Sequence, residues 1–556
     1  MKYVVLLSLV LANFLEEPTP IVRVGGGLLR GRVSEDGMIY QYFGIPYGTV
    51  TKENRFQAPL PPPTWDGIYE AINEHFRCPQ KMIGSIVLGH EDCLKLNVYT
   101  PTQIADKPLP VMVFIHGGCF MEGIGSSFLY GPDFIVEQNV IFVGINYRLN
   151  VEGFLCLGIK EAPGNAGIKD QIAALKWIKN NIAAFGGDPN NVMLFGESAG
   201  AVSISYLILS SSAQGLFNKA ILQSGATVTP WGMQHDPIKM ASNLAQTFGY
   251  KGNDPHEIYE ILSSKSITDL ISAIKYPKYR DYVTATPLFV PCIEKIIPDV
   301  EPLITIHPTD IIKSGNYTKV PIIIGNNNKE GIYFVAKTHG NSLNENSEVD
   351  PNDLFQNDLQ YPDEETKNAT ITNVRNKYLS KEKGDPIMDL VDLVSDLHIK
   401  YPIAVESKLY AKTTDQPIYY YQFKYDGYIN MAKVISGFMF KPGASHADEL
   451  MYLFKPRSFP MPHRQFEINM INRMVTLWTN FAKYSDPTPK TTSLIPIRWR
   501  PSKASNPIAL VIDRRLSTAP MWDTDTINFW DSTYTKYRRK DYGFTNYSDS
   551  GYYLTH

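Results

Sequence analysis

The chain has 556 residues, of which 44% are hydrophobic, and its formal net charge is −3. This composition supplies a large core, and the absence of a basic excess argues against a nucleic-acid partner. Length alone favours three or four domains, but no Pro/Gly/Ser linker and no repeat divides the chain, so a single domain is expected over residues 17–540, followed by a polar tail at 541–556.

The N-terminus has the pattern of a secretory signal. Met1 and Lys2 precede the short apolar run 3–12, which cannot span a bilayer. We expect residues 1–16 to be a signal peptide and the protein to be secreted without a stable membrane anchor; an N-terminal core strand is the alternative. Sequons for glycosylation begin at Asn316, Asn368 and Asn546.

A buried strand is predicted over residues 109–115, and it runs directly into His116-Gly117-Gly118-Cys119. This resembles the HGG-type motif of lipases and esterases, in which small residues let backbone N–H groups face a developing oxyanion. The alternative is a plain turn that ends the strand. We expect Gly118 and Cys119 to supply two of the oxyanion donors.

A helix is predicted before the most informative motif of the chain. Apolar residues recur at steps of three and four and are followed by Gly186-Gly187, which ends the pattern. The residues that define this stripe are Ile168, Ile172, Leu175, Ile178 and Ile182.

The pentapeptide Gly196-Glu197-Ser198-Ala199-Gly200 lies between an apolar strand-like run at 191–195 and a helix-like run at 201–209. Strand, sharp turn and helix define a nucleophile elbow, where flanking glycines let the serine hydroxyl project from the sheet edge. Ser198 is therefore the predicted nucleophile, and the N–H of Ala199 is the third predicted oxyanion donor.

The order serine, acid, histidine of α/β-hydrolases selects the remaining partners. Glu330 follows the apolar strand 320–325 by one loop, where such a fold gathers catalytic groups, although a solvated loop carboxylate is the alternative. His446 stands in a small-residue loop before a helical segment and is the predicted base. His398 is its rival but lies in an apolar stretch that indicates helix packing; the other histidines after the acid are His339, His463 and His556.

Taken together, these motifs resemble the type-B carboxylesterases, a family that includes cholinesterases and insect ester hydrolases. Further likeness lies in the Phe43–Gly48 hexapeptide with Arg55-Phe56, in residues 91–99, and in residues 185–198. The likeness runs from about residue 20 to about residue 530. It implies an α/β-hydrolase fold, with a large, mostly parallel central sheet and helices on both faces, and no cofactor.

The resemblance also implies roles for individual residues. Ser224 and Glu197 would support the triad, Trp231 would line the acyl pocket unless it is a simple core indole, and Arg148 would pair with the buried Asp170. Cys78 and Cys93 would form a disulfide. The remaining cysteines, Cys119, Cys156 and Cys292, are expected to be buried thiols, and none has metal-ligand spacing.

Departures from the family pattern reduce the range of substrates that we expect. Cys119 replaces a commoner glycine and places a side chain near the acyl group. No tryptophan lies between Cys78 and Cys93, so choline esters are poor candidates. Juvenile hormone esterases usually carry Gln where this chain has Glu197, which favours general insect carboxylesterases.

The predicted function is that of a secreted serine esterase for neutral carboxylic esters of xenobiotic, odorant or pheromone type, inhibited by organophosphates. The alternatives are a juvenile hormone esterase, an amidase or lipase with the same triad, and an ester-binding or adhesion protein without turnover. The polar stretch 341–368 is predicted as a surface insertion or loop, and the tail beyond Arg539 as poorly packed.

Overall fold

A computed structural model describes residues 17–81, 86–103, 106–274, 289–339, 358–379, 384–458, 464–521 and 524–540. The predicted signal peptide, most of the polar stretch after residue 340 and the tail at 541–556 lie outside these ranges. Among the helices within them, none combines the length and apolar character needed to cross a membrane.

The strands of the described residues form one large sheet and two small ones. They are β1 (Val22–Val24), β2 (Gly27–Arg30), β3 (Arg32–Val33), β4 (Ile39–Pro46), β5 (Ile68–Glu70), β6 (Gln80–Lys81), β7 (Val87–Leu88), β8 (Lys95–Pro101), β9 (Leu109–Ile115), β10 (Ile141–Ile145), β11 (Gly187–Glu197), β12 (Lys219–Gln223), β13 (Ile322–Asn327), β14 (Ile418–Phe423), β15 (Ile508–Ile512) and β16 (Ser517–Pro520).

Helices connect and cover these strands. They are α1 (Ser127–Tyr130), α2 (Asp133–Val136), α3 (Asn150–Phe154), α4 (Ala166–Asn181), α5 (Ala199–Leu209), α6 (Pro237–Gln246), α7 (Pro255–Ser263), α8 (Ile267–Ala273), α9 (Pro308–Ser314), α10 (Gly331–His339), α11 (Glu364–Tyr378), α12 (Pro386–Ser395), α13 (Tyr401–Thr413), α14 (Met431–Ile435), α15 (Gln465–Tyr484) and α16 (Thr524–Tyr537). A π-helical turn, Asp396–Lys400, joins α12 to α13.

The large sheet has eleven strands in the order β16-β15-β14-β13-β12-β11-β9-β10-β8-β4-β3. The run from β15 to β10 is parallel throughout, and antiparallel strands close both edges. This matches the predicted, mostly parallel α/β-hydrolase sheet. The carboxyl ends of the parallel strands meet at one edge, so side chains in the following loops are brought together there.

Side chains of β9 alternate between the two faces of the sheet. Val111, Val113 and Ile115 belong to one buried apolar cluster, while Met112 and Phe114 belong to another. Such alternation follows from the two-residue period of a strand. Helices α4 and α5 pack into the first cluster and α15 into the second, so helices cover both faces as predicted.

Helix α4 carries the predicted apolar stripe and a buried ion pair. Asp170 accepts hydrogen bonds from Nε and Nη2 of Arg148, at 2.8 and 2.5 Å, and both side chains are fully buried. Removing one partner would leave an uncompensated buried charge, which is strongly destabilising. The pair therefore fixes α4 to the segment that follows β10.

One expectation about local structure was wrong. Cys156 and Cys292 form a disulfide across 136 residues, so they are not buried thiols, and Cys119, the cysteine outside both disulfides, is only half-buried. Residues 364–368, at the end of the predicted surface insertion or loop, belong to α11, and Asp363 caps this helix by accepting from the Thr366 N–H at 2.6 Å. The expected disulfide between Cys78 and Cys93 is present, with their Cα atoms 4.9 Å apart.

Candidate active site

Ser198 lies at the junction between β11 and α5, with φ 57° and ψ −124°. A non-glycine residue reaches this region only when its surroundings impose it. The elbow packs directly on β9: a Cβ added to Gly200 would lie 2.0 Å from the Ile115 carbonyl oxygen, and one added to Gly196 would lie 2.6 Å from it. The flanking glycines thus let the strand turn sharply enough to present the hydroxyl.

Glu330 and His446 meet at the same edge of the sheet, after β13 and β14. Nδ1 of His446 lies 2.7 Å from Oε2 of Glu330, and both side chains are buried. The other carboxylate oxygen of Glu330 accepts from the Ser224 hydroxyl at 2.6 Å and from the Asn327 N–H at 2.6 Å. These bonds hold the carboxylate so that it orients the imidazole.

We call residues 327–330 the acid loop and residues 443–447 the histidine loop, and hydrogen bonds join the two loops. The Asn327 side-chain amide donates to the Ser445 carbonyl at 2.7 Å, and the Lys329 N–H donates to the Ala444 carbonyl at 2.9 Å. The two loops therefore position Glu330 and His446 as one unit.

The loop after β9 lies against Ser198, the predicted nucleophile. A Cβ on Gly117 would be 3.0 Å from the Ser198 Cβ, and Gly118, Cys119 and Phe120 all have positive φ, at 106°, 55° and 60°. Three consecutive left-handed residues bend the backbone tightly. Ala199 begins α5, where the first N–H groups of a helix have no intrahelical acceptor. The three predicted donors thus lie on two segments that flank Ser198.

His116 fixes the start of this loop. Its ring stacks on Tyr147 with centroids 4.5 Å apart, and the Tyr147 hydroxyl donates to the His116 carbonyl at 2.9 Å. Burial lowers the pKa of His116 to about 4, so the ring is neutral near pH 7. A neutral, stacked imidazole supports the loop mechanically and adds no charge beside the predicted oxyanion donors.

A sequence profile of the carboxylesterase family matches residues 18–530. The chain belongs to the carboxylesterase family. The strand order of the large sheet and the strand–turn–helix geometry at Ser198 agree with this membership. The chain is a carboxylic ester hydrolase with the α/β-hydrolase fold.

Individual relatives and one solved structure support this membership. Juvenile hormone esterase of Tribolium castaneum is 34% identical over 84% of each chain, and esterase FE4 of Myzus persicae is 32% identical over 87% of this chain and 88% of that one. The crystal structure of juvenile hormone esterase from Manduca sexta, with OTFP covalently attached, superposes with a TM-score of 0.82 at 28% identity. It covers 94% of this chain and 100% of that one.

Glu197 of the esterase lies on the other side of the imidazole from Glu330. Its Oε1 is 3.0 Å from Nε2 of His446. Burial lowers the pKa of His446, but the carboxylates of Glu197 and Glu330 outweigh burial and raise it. Burial in turn raises the pKa of Glu197, so this carboxylate attracts the imidazolium only in the pH range where it is ionised. Glu197 therefore sets how strongly His446 holds a proton at Nε2.

Glu449 is a site residue that the sequence did not reveal. It is buried and accepts from the Gln223 amide at 3.1 Å and from the Asn327 amide at 2.5 Å. Burial raises the pKa of Glu449 to about 7. Glu449 thus connects the end of β12 to the acid loop. The sequence signal that could have identified it is its position three residues after His446, in the turn Asp448–Tyr452.

The remaining predicted residues are placed as follows. Trp231 is buried in the loop after Ser224, within the first apolar cluster, so both its pocket role and its core role stay predictions. His398 is fully buried in the π-helical turn with its ring 5.4 Å from that of Phe334, as expected for a packing residue. Asn316 and Asn368 are exposed, and Asn546 lies outside the described residues.

Proposed function

We propose that Ser198, Glu330 and His446 are the catalytic triad of this esterase. The observation that supports it most is the 2.7 Å contact between Nδ1 of His446 and Glu330, which leaves Nε2 on the side of the ring away from the acid. Glu330 keeps the proton on Nδ1, so that Nε2 can act as the general base. The strained backbone of Ser198 is that of a nucleophile elbow, which projects the hydroxyl from the sheet edge.

Acylation begins when the Ser198 oxygen attacks the ester carbonyl carbon and Nε2 of His446 takes the hydroxyl proton. The carbonyl oxygen becomes an oxyanion, which accepts hydrogen bonds from the N–H groups of Gly118, Cys119 and Ala199. The intermediate then collapses, the bond to the alcohol oxygen breaks, and His446 returns the proton to that oxygen. Water repeats the cycle on the acyl-enzyme and releases the carboxylic acid.

Neutral esters are the proposed substrates, of xenobiotic, odorant or pheromone type. The His446 ring contacts Phe334 and Tyr333, with centroids 5.1 and 5.6 Å apart, so apolar surface adjoins the base. These rings offer apolar contact to an uncharged acyl or alcohol group. Esterase FE4 among the relatives agrees with a general esterase.

Juvenile hormone hydrolysis is the second candidate. Two of the similar proteins are juvenile hormone esterases, and one of these superposes over nearly the whole chain. Glu197 stands against this candidate, because a buried carboxylate replaces the neutral glutamine usual before the nucleophile of such enzymes.

Secretion and glycosylation are proposed with the catalytic function. The apolar leader at residues 3–12 and two disulfides suit an oxidising extracellular compartment. Asn316 and Asn368 are exposed within their sequons and can receive a glycan.

A substrate panel tests these proposals. The purified protein is assayed with aryl acetates, long-chain alkyl acetates and juvenile hormone, with Ser198→Ala as the control. We expect the highest kcat/KM with simple acetates and none with the variant. Preference for juvenile hormone by tenfold or more would establish the second candidate, and binding of esters without turnover would establish a sequestering protein instead.

A further inference from the structure

The segment that follows β12 lies between the proposed nucleophile and the proposed acid. We call residues 224–232 the support segment. At its start, the Ser224 hydroxyl donates to Oε1 of Glu330 at 2.6 Å. A Cβ added to Gly225 would lie 2.4 Å from the Ser198 carbonyl oxygen, so the segment also packs directly on the elbow. A displacement of the support segment would therefore disturb both members of the triad.

The backbone of Ser224 is held in an unusual conformation. Its φ of 54° lies in the left-handed region, which a serine occupies where its surroundings impose it. On one side, the Ser224 N–H donates to the Gly325 carbonyl of β13 at 2.9 Å. On the other side, the N–H and the hydroxyl of Thr227 both donate to Oε2 of Glu406, at 2.8 and 2.6 Å. The position of Ser224 therefore depends on anchors on both sides.

Glu406 also bonds to the helix that Ser198 precedes. Its Oε1 accepts from the hydroxyl of Ser205 in α5. The hydroxyl of Tyr410, in the same helix as Glu406, lies 3.2 Å from the Ser205 hydroxyl. One carboxylate thus joins α13, α5 and the support segment.

The burial of this carboxylate indicates a role beyond packing. The side chains of Glu406, Ser205 and Thr227 are all buried. Burial raises the pKa of Glu406, and the hydrogen bonds from Ser205 and Thr227 act in the opposite direction. An apolar side chain would avoid the free-energy cost of burying a carboxylate, but it would leave both Thr227 donors without this acceptor. A polar group whose partners are all bonded makes the surrounding core rigid.

We propose that Glu406 is a positioning residue, and that it acts through Thr227 to hold the support segment against the catalytic triad. The inference rests on the triad proposed above. The far end of the segment is joined to α5 separately, because the Tyr206 hydroxyl donates to the Gly232 carbonyl at 3.1 Å. Without Glu406, the part of the segment nearest Ser224 would therefore move most.

Loss of this anchor should slow the reaction of Ser198 without weakening the binding of its reaction partner. A shifted support segment removes the fixed hydrogen bond from Ser224 to Glu330. The imidazole of His446 then spends less time in the orientation that accepts the serine proton. A misplacement of about 1 Å can cost roughly a hundredfold in rate, so a loss of about tenfold is a modest expectation.

Inactivation by paraoxon measures this effect without knowledge of the natural ester. Paraoxon transfers its diethylphosphoryl group to an activated serine and releases 4-nitrophenolate. The limiting rate constant of inactivation reports how well the serine is activated, and the half-saturating concentration reports binding. The unmodified esterase is compared with Glu406→Leu, which removes the acceptor, and with Glu406→Gln, whose amide oxygen can still accept from Thr227.

Two changes in buried residues of α13 serve as matched controls. Ser407→Ala removes a hydroxyl that donates to the Ala404 carbonyl at 3.1 Å, within the same helix. Ile403→Val removes apolar packing from a side chain that has no hydrogen-bonding group. Both controls should keep the limiting rate constant and the half-saturating concentration within about twofold of the unmodified values.

We expect the limiting rate constant to fall about tenfold or more in Glu406→Leu, with the half-saturating concentration within about twofold. Glu406→Gln should recover it to within about threefold of the unmodified value. The proposal is overturned if folded Glu406→Leu keeps the limiting rate constant or changes only the half-saturating concentration. Equal losses in the two variants would also overturn it, because an acceptor for Thr227 would then make no difference.

Thr227→Val decides the matter if Glu406→Leu does not fold. This change removes one of the two bonds to Glu406 and should lower the limiting rate constant about threefold or more, whereas an unchanged value overturns the proposal. Mass mapping of the adduct separates this test from that of the triad. An adduct away from Ser198 in the unmodified protein would contradict the triad, and this inference with it.

Discussion

Glu152 in α3 carries the clearest stability prediction. Its side chain is fully buried, and neither carboxylate oxygen has a hydrogen-bond partner among the described residues. Burial raises its pKa to about 8, although Arg148 acts in the opposite direction. Because the pKa of Glu152 is higher in the folded state than in the unfolded state, the protonated carboxyl group keeps the folded protein stable at low pH. This contribution is lost as the pH rises from about 4.5 to about 8.

The replacement Glu152→Gln removes this titration and keeps the size of the side chain. A rise in pKa from about 4.5 to about 8 corresponds to roughly 3 kcal/mol of stability lost between pH 5 and pH 8. We therefore compare the free energy of unfolding of the variant with that of the unmodified esterase at each pH. This difference should favour the variant by about 3 kcal/mol more at pH 8 than at pH 5.

Urea unfolding at the two pH values measures this difference, with Glu260→Gln as the control, because Glu260 is exposed in α7. The control should change stability equally at both pH values. Two results would contradict the reasoning: Glu152→Gln could change stability equally at both pH values, as the control does, or its stability relative to the unmodified protein could fall from pH 5 to pH 8. Either result would mean that the buried carboxylate is ionised and paired in solution.

Three further predictions concern the site and the second disulfide. Glu197→Gln removes the largest attraction for the imidazolium, so the acid limb of the kcat/KM profile should move to lower pH; a move to higher pH would contradict the role of Glu197. His446→Ala should lose at least a thousandfold in kcat while His398→Ala keeps it, and the reverse result would exchange their roles. Replacing Cys156 and Cys292 together by serine opens a loop of 136 residues and should cost about 5 kcal/mol in urea unfolding, whereas a loss below about 1 kcal/mol would contradict a closed disulfide in solution.

Local sequence patterns were sufficient for much of the fold and site. The elbow around Ser198 and the strand into His116 are contiguous, so strand, turn and glycine signals identify them directly. Glu330 and His446, which the structure brings within 2.7 Å of each other, were selected because the chain order of the fold restricts the choice. The apolar stripe in α4 was predicted from the helical spacing of its apolar residues, which can be recognised in a single sequence.

Features that depend on distant contacts were missed. Cys156 and Cys292 are 136 residues apart, and Asn165 joins their surroundings through paired hydrogen bonds with the Cys292 backbone, both at 2.9 Å. Nothing in the spacing indicates this. Glu449 is buried against residues distant in sequence, including Gln223 and Asn327, so no local pattern predicts its burial. Helix α11 is too polar to show a stripe, and its local signals are the cap at Asp363 and the charged residues of its first and last turns.

The central claim is that Ser198 is the activated nucleophile. A paraoxon-type organophosphate presents an electrophilic phosphorus to such a serine, and its P=O oxygen accepts the same donors as the ester oxyanion. Attack by the Ser198 oxygen expels the phenolate, so inhibition should be progressive and stoichiometric. Recovery should be slower than ester deacylation, because the phosphorylated serine does not match a site built for a planar acyl group.

Peptide mass mapping of the inhibited protein tests the claim most directly. The account predicts one diethylphosphoryl adduct, on the peptide that carries Ser198, with activity lost in proportion to labelling. Full inactivation with the adduct on a tyrosine or lysine, and with Ser198 unmodified, would contradict it.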